Sequence, residues 1–222
     1  MSMDSTSNAG CQGARPIGEA ADTHGDVVSA PPAVIVSGMP RSGTSMMMQA
    51  LVAGGLDALT DGRRQPDASN VRGYYELESV KRLPHREAEF LDHTAGKAVK
   101  VIHTLLPHWP SDRPGRLIFM LRDLREVLAS QHAMLQRQGR PSVPISEQRL
   151  AAALGRQQAR ALQWIARQPH LAMLEVQHAD VLSRPSHEMM RVAEFLDLDL
   201  DTHAMAAVVD PTLQHHKRQT DA

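Results

Sequence analysis

One stretch limits what this chain can fold into more than any other: Ala33-Val34-Ile35-Val36-Ser37-Gly38-Met39-Pro40-Arg41-Ser42-Gly43-Thr44-Ser45-Met46-Met47-Met48. Val34, Ile35 and Val36 show no polar alternation, the pattern of a parallel strand covered on both faces. The run empties into a loop bounded by Gly38 and Gly43. Lacking a Cβ, these two residues let the backbone enter left-handed conformations and bring its N–H groups close to an anion. From Ser42 or Gly43 the spacing predicts a helix, whose unpaired N–H groups and positive dipole end would face the same concavity. Strand, anion loop and helix are therefore expected in that order.

The spacing from Gly38 to Gly43 followed by Thr44-Ser45 nearly matches the nucleotide pattern G-x-x-x-x-G-K-[ST], with Thr44 where the lysine belongs. A Mg-bound triphosphate would lose the cation that reaches its outer phosphates. Arg41 places a different cation inside the loop, where a guanidinium suits a transferred group or a leaving oxygen.

Further along, Lys97 to His103 reads as a second strand and Leu117 to Leu121 as a third, central one, running directly into Arg122. Asp123 and Glu126 have the spacing of a helix N-cap and its reciprocal partner, which starts a helix at Leu124 and puts Ser130 about two turns along it. Ser146 caps a long helix to about Arg167, with Leu150, Leu154, Ala161, Leu162 and Ile165 in one stripe. Leu171 to Val176 reads as a fourth strand. Arg184 to Leu196 then gives a helix with Met189, Val192, Ala193 and Leu196 inside. After the loop, Met47, Met48, Leu51 and Val52 form the buried face of a helix that Gly54-Gly55 ends. This alternation predicts an α/β protein: a P-loop-type, doubly wound, mostly parallel sheet with helices on both faces, in a single domain. Ligands of such sheets bind beyond the carboxyl ends of the strands, where Arg41, His103 and Arg122 all fall.

With 222 residues, one domain is the default. Residues 1–30, rich in Ser, Gly, Ala and Asp, read as a disordered leader, and 31–222 as the folded unit. A formal net charge of −1 gives no global positive field for nucleic acid or an anionic membrane. The lone cysteine, Cys11, excludes an intramolecular disulfide and fits a reducing compartment. With no secretory signal and no long apolar span, the chain reads as soluble and cytoplasmic. His215-His216 are neighbours without further ligands, so no metal site is expected.

Pro40-Arg41-Ser42-Gly43-Thr44-Ser45 resembles the 5′-phosphosulfate loop of the sulfotransferases that use 3′-phosphoadenosine 5′-phosphosulfate (PAPS), in which a Lys or Arg precedes Ser-Gly-Thr. The resemblance implies that Gly38, Pro40, Arg41, Ser42, Gly43, Thr44 and Ser45 bind the 5′ end of PAPS as co-substrate, with Arg41 also catalytic. Arg122 and Ser130, eight residues apart, match the pair that holds the 3′-phosphate. Lys217 or Arg218 would be a third contact, although the family's Gly-x-x-Gly-x-x-Lys form is absent. Arg72-Gly73-Tyr74-Tyr75-Glu76 is similar to the segment that supplies a glutamate base in some branches, which points to Glu76. Glu78 is the near alternative, turned to the same side by alternation, and an exposed ion pair with Arg72 or Lys81 is the plainer role for Glu76. His103 is the second candidate base. Lys100-Val101-Ile102-His103 resembles a Lys-x-His segment with one residue too many, a spacing that sends the two side chains to opposite faces of a strand. Met46 stands where one branch has a tryptophan under adenine, leaving Met46 itself or Trp164 for that role. The implied reaction moves a sulfuryl group to a hydroxyl or amine, on a small-molecule, glycan, lipid or peptide acceptor. A small-molecule kinase and a silent nucleotide-binding or interaction protein of the same fold are the rivals. The oligomeric state, a homo-oligomer included, stays open.

Overall fold

The computed structural model describes residues 30–67, 73–85, 88–140 and 146–210. Five parallel strands, β1 (Ala33–Gly38), β2 (Ala58–Leu59), β3 (Ala98–Lys100), β4 (Gly115–Leu121) and β5 (Leu171–Gln177), form one sheet in the order β2-β3-β1-β4-β5. The middle strand is β1, not β4 as expected. Its unbroken apolar run is the reason: Val34, Ile35 and Val36 are at most 2% exposed and pair with β3 on one side and β4 on the other. At the edge, β5 buries Leu171 and Val176 and leaves Ala172, Glu175 and Gln177 exposed.

Six α-helices accompany the sheet among the described residues: α1 (Thr44–Ala53), α2 (Leu124–Arg137), α3 (Glu147–Ile165), α4 (His178–Ser183), α5 (Pro185–Leu196) and α6 (Thr202–Ala207). One core, on the face reached by Val34 and Val36, takes Met47, Met48 and Leu51 of α1, Met189, Val192 and Leu196 of α5 and Met205 of α6. The other, on the face of Ile35, takes Ala161 and Ile165 of α3 together with Val80, Leu83, Phe90 and Leu106 from three 3-10 segments. Helices on both faces are therefore the observed architecture, as the strand-helix alternation predicts.

The caps follow the side chains. Asp123 accepts from the N–H groups of Arg125 and Glu126, and Ser146 from that of Arg149. Glu126 departs from its expected reciprocal role: its carboxylate turns instead to Arg122, Oε2 to Nε 3.0 Å, because an (i, i+4) guanidinium offers a charge-assisted bond that a backbone N–H does not match. The predicted face of α1 also needs one correction. Val52 is exposed, and Ala50 takes its place in the core.

Candidate functional site

The phosphate-type loop is shaped by close approach. A Cβ on Gly38 would lie 2.5 Å from Ser42 Oγ and 2.6 Å from the carbonyl oxygen of Met120, and one on Gly43 would lie 2.7 Å from His178 Cδ2. Both glycines have positive φ, 149° and 101°. Arg41 between them is also left-handed, φ 72°, a conformation most side chains avoid. The Ser42 N–H donates to the carbonyl of Met39, 3.1 Å, folding the loop back on itself. Ser42 is 1% exposed, and its hydroxyl makes no hydrogen bond among the described residues. An unpaired hydroxyl in such a place costs free energy unless a ligand, or water standing in for one, completes it.

Three of the residues singled out in the sequence meet here. Arg41 Nε donates to Ser130 Oγ, 3.0 Å, and Arg122 Nη1 donates to the carbonyl oxygen of Arg41, 3.1 Å. The two guanidinium groups thus share one side of the sheet. Burial lowers the pKa of Arg41, with Arg122 and Arg137 acting the same way and Tyr74 opposing; a guanidinium nonetheless stays charged. Two arginines this close form a concentration of positive charge that suits an anion.

On the other flank, Lys100 at the end of β3 donates to Ser45 Oγ, 3.2 Å, and to the Tyr74 carbonyl, 3.0 Å, and lies 3.7 Å from Glu76 Oε1. Glu76 also accepts from Arg64 Nη1, 2.9 Å. One lysine therefore bridges the anion loop and the candidate base. In the sequence, Lys100 is marked only by its spacing to His103, yet a lysine closing a buried strand on the ligand side of a parallel sheet is itself a signal, since few other roles place it there. Its side chain is 9% exposed, and its pKa is lowered to about 8, chiefly by burial, with Glu76 opposing.

A consequence for stability follows. Between about pH 8 and about pH 10.5 the unfolded chain keeps a proton on this lysine that the folded chain has released, so stability rises with pH across that window and is flat below it. In Lys100→Met the rise, worth about 2–4 kcal/mol, disappears. Urea unfolding at several pH values reads the difference between the two proteins.

Tyr74 is buried, its hydroxyl donating to Asp67 at 2.8 Å, while the Arg64 guanidinium stacks 3.4 Å from the ring centroid. Tyr75 takes φ 51°, and a 3-10 segment begins at Glu78. The extended alternation expected for this stretch is therefore broken. Glu78 pairs with Lys81 and not with the partners of Glu76. Of the ion pairs expected for Glu76, Arg72 lies outside the described residues, and the observed partners are Arg64 and Lys100.

His103 lies not on a strand but in the turn after β3, where the Leu105 N–H donates to the carbonyl of Ile102. It is buried. Neither ring nitrogen has a well-formed hydrogen bond among the described residues, and burial lowers its pKa, with weak approaches to Gln157 and the Gly38 backbone opposing. Lys100 reaches Ser45 on α1 while His103 turns towards α3, so the two do point to opposite faces. Trp164 packs against the core beneath α3 and Met46 against the core beneath α1. Lys217 and Arg218 lie outside the described residues. Among the described residues, no group of three or more His, Cys, Asp or Glu side chains is placed to hold a metal ion, and no helix is long and apolar enough to cross a membrane.

A parallel α/β sheet with a glycine-bounded loop at its central strand and two arginines converging on that loop has the P-loop-type α/β fold. The family model described as "sulfotransferase domain" matches residues 31–222. The chain belongs to the sulfotransferase family, a family of transferases. Comparison with curated protein sequences finds no match. Among solved structures, it is similar in fold to mouse sulfotransferase SULT7A1 complexed with PAP, at 14% identity and TM-score 0.54, over 84% of this chain and 67% of that one. It also matches the sulfotransferase domain from the curacin biosynthetic pathway, at 13% identity and TM-score 0.49, over 83% and 89%. A third match is sulfotransferase STF9 from Mycobacterium avium, at 15% identity and TM-score 0.46, over 85% and 69%.

Proposed function

We propose that the chain transfers a sulfuryl group from PAPS to a hydroxyl or amine acceptor and releases adenosine 3′,5′-bisphosphate. The observation that carries this reading is the linked set Arg122–Arg41–Ser130 standing over a loop whose buried Ser42 hydroxyl has no partner among the described residues. The loop fits an anion of this kind: its backbone is held close, since a Cβ at Gly38 would strike Ser42 Oγ and one at Gly43 the ring of His178, and the start of α1, with no acidic residue in its first turn, directs N–H groups towards the same loop. When bound, PAPS supplies an activated sulfuryl group on a phosphate leaving group. The chain's own residues then have distinct tasks. Loop N–H groups with Ser42, Thr44 and Ser45 orient the 5′ end, and Arg41 stabilises charge that develops on the leaving oxygen. Arg122 and Ser130 hold the 3′-phosphate, with Lys217 or Arg218 as a further contact. Glu76 takes the proton of the acceptor, and His103 is the alternative base. Both carry the same test, since Glu76→Gln and His103→Ala differ in which one lowers turnover without weakening nucleotide binding.

A sulfuryl group carries less negative charge than a phosphoryl group, so its transfer leans on fixed cations of the protein and needs no divalent ion. A kinase on this scaffold lacks its lysine, with Thr44 in that place. The protein acts in the cytoplasm, consistent with a single cysteine in 222 residues. Incubation with sulfur-labelled PAPS and a panel of alcohols, phenols, sugars and amines tests the reading: label should reach an acceptor in the presence of a chelator, and label that never leaves PAPS with any acceptor would contradict it.

A further inference from the structure

The exposed side of α3 carries a charge pattern that none of the roles above uses. Residues 127–174 hold six arginines, no lysine and a single carboxylate, Glu147, in a chain whose net charge is −1. Four of the six, Arg149, Arg156 and Arg160 on α3 and Arg167 in the turn that closes it, follow one another at intervals of seven, four and seven residues. At 3.6 residues per turn these intervals set them in one row about 27 Å long. All four are exposed, on the side of α3 away from the buried Ala161 and Ile165. Glu147 lies 3.7 Å from His132, no residue three or four places from any of the four is acidic, and among the described residues none of their guanidinium groups makes an ion pair. Arginine in the first turn of a helix opposes the dipole, and like charges four apart repel. The row therefore works against the helix that bears it, as a surface does when its partner lies outside the chain. The opposite face of the sheet has the reverse charge: residues 175–210, which include α5 and α6, hold eight carboxylates and two arginines.

The helix that bears the row stands beside the loop. It runs antiparallel to α2: a Cβ on Gly155 would lie 3.3 Å from Leu124 at the start of α2, while Glu147 lies by His132, two turns further along it. On α2, Ser130 holds Arg41, and Arg137, two turns on and on the same face, acts on Arg41 as well. We propose that the row is a docking surface for an acidic polysaccharide, a hydroxyl-bearing chain with carboxylate or sulfate groups at intervals, and that a sugar hydroxyl of this chain is the acceptor. The proposal rests on the sulfuryl-transfer reading above and names its substrate class. In the transfer the sugar oxygen forms the new bond to sulfur, the bond from sulfur to the phosphate oxygen of PAPS breaks, and the hydroxyl proton passes to the base assigned above. Guanidinium groups meet carboxylate and sulfate oxygens with paired N–H bonds, and intervals of about 6 Å and about 10 Å along the row suit charges repeated on an extended chain. Among the arginines stand Ala152, Ala159 and Ala166, with Gln148 and Gln163, all exposed; the small residues leave the charges accessible, and the amides can bond hydroxyls. Two other polyanions fit less well. Single-stranded nucleic acid is gripped with aromatic stacking, and Trp164, the one aromatic residue of α3, packs against the core. An anionic membrane takes apolar anchors beside the charges, and the exposed large apolar side chains Val52, Ile102 and Met190 all lie off α3. The acidic face behind α5 and α6 turns a polyanion away and steers it to α3.

Binding of fluorescently labelled polygalacturonate, dextran sulfate and uncharged dextran, without nucleotide, tests the surface in three proteins: the unaltered chain, Arg156→Gln/Arg160→Gln, and a charge-matched control, Arg63→Gln/Arg82→Gln. Arg63 and Arg82 are exposed but stand outside the row, and glutamine has nearly the helix propensity of arginine. Both acidic polymers should bind and dextran should not. The α3 pair should weaken binding about tenfold and flatten its dependence on salt, whereas the control pair should stay within about twofold of the unaltered chain. Turnover with sulfur-labelled PAPS completes the test: label should reach the hydroxyls of an acidic polymer, with KM raised by the α3 pair and kcat unchanged, while adenosine 3′,5′-bisphosphate binds equally to all three proteins. Equal polymer binding by the three proteins, tighter binding of single-stranded RNA or of phosphatidylglycerol vesicles, or self-association of the chain that the α3 pair abolishes would overturn the proposal alone. So would label that reaches small uncharged alcohols and neither acidic polymer. Label that leaves PAPS for no acceptor, in a protein that still binds the polymers through α3, would remove the sulfuryl-transfer reading and the acceptor role with it.

Discussion

Arg41→Ala should leave the chain folded and lower sulfuryl transfer by on the order of 10²–10³-fold, the loss seen when one fixed donor to a developing oxyanion is removed. The guanidinium is held at both levels on which such a donor depends. Its orientation is set by the bond from Nε to Ser130 and its backbone by the bond that Arg122 makes to its carbonyl. Removing the side chain leaves the Ser130 hydroxyl without this partner, worth about 1 kcal/mol of stability, small beside the expected kinetic effect. The left-handed backbone costs alanine no more than it costs arginine. Arg41→Lys keeps the charge but cannot reproduce the planar fork, so it should fall between the two. Turnover with sulfur-labelled PAPS, set against far-ultraviolet circular dichroism as a folding control, separates catalysis from stability. Equal turnover in all three proteins would detach Arg41 from the chemistry.

Gly38→Ala has the largest expected effect on the fold. The new methyl would meet the Met120 carbonyl oxygen, a backbone atom of the adjacent strand, at 2.6 Å, and φ is 149°. Strain of about 1–3 kcal/mol for the conformation adds to about 1–3 kcal/mol for overpacking, a large part of the ~5–15 kcal/mol that holds a domain together. Gly55→Ala is the matching control, since its φ of 95° is equally unfavourable and nothing lies within 4 Å of the added carbon. Urea midpoints should therefore drop modestly for Gly55→Ala and severely for Gly38→Ala. Because the same methyl would displace Ser42 Oγ, 2.5 Å away, whatever fraction of Gly38→Ala folds should also fail to bind nucleotide. Similar midpoints for the two variants would show that the loop does not need the close approach described here.

Features written in local chemistry were legible in the sequence. The apolar run of β1, the two loop glycines, the caps Asp123 and Ser146 and the stripe Met189, Val192, Ala193, Leu196 each depend on residues a few positions apart, and each is found where periodicity and capping rules put it. What escaped depends on partners distant in the chain. Two residues, Ala58 and Leu59, become a strand only because β3 lies beside them. The 3-10 segment from Glu78 contains Pro84 and has no long apolar period to announce it. The role of Lys100 could not be seen from its neighbours, because Ser45 and Glu76 reach it from 55 and 24 positions away. Likewise the contact of His178 with Gly43 arises only when β5 and the loop meet across β4.

The central claim is that Arg41 and Arg122 together make a cradle for a nucleotide with phosphate at both its 3′ and 5′ positions, with no divalent ion required. Calorimetry with adenosine 3′,5′-bisphosphate in the presence of a chelator, run beside Mg-ATP and repeated on Arg122→Ala, tests it most directly. The account predicts metal-free binding of the bisphosphate that is far tighter than that of Mg-ATP and weakened about 10–100-fold in Arg122→Ala, the equivalent of ~1.5–3 kcal/mol for hydrogen bonds to a charged group. Preference for Mg-ATP, or an Arg122→Ala protein that binds the bisphosphate as well as the unaltered chain, would contradict it.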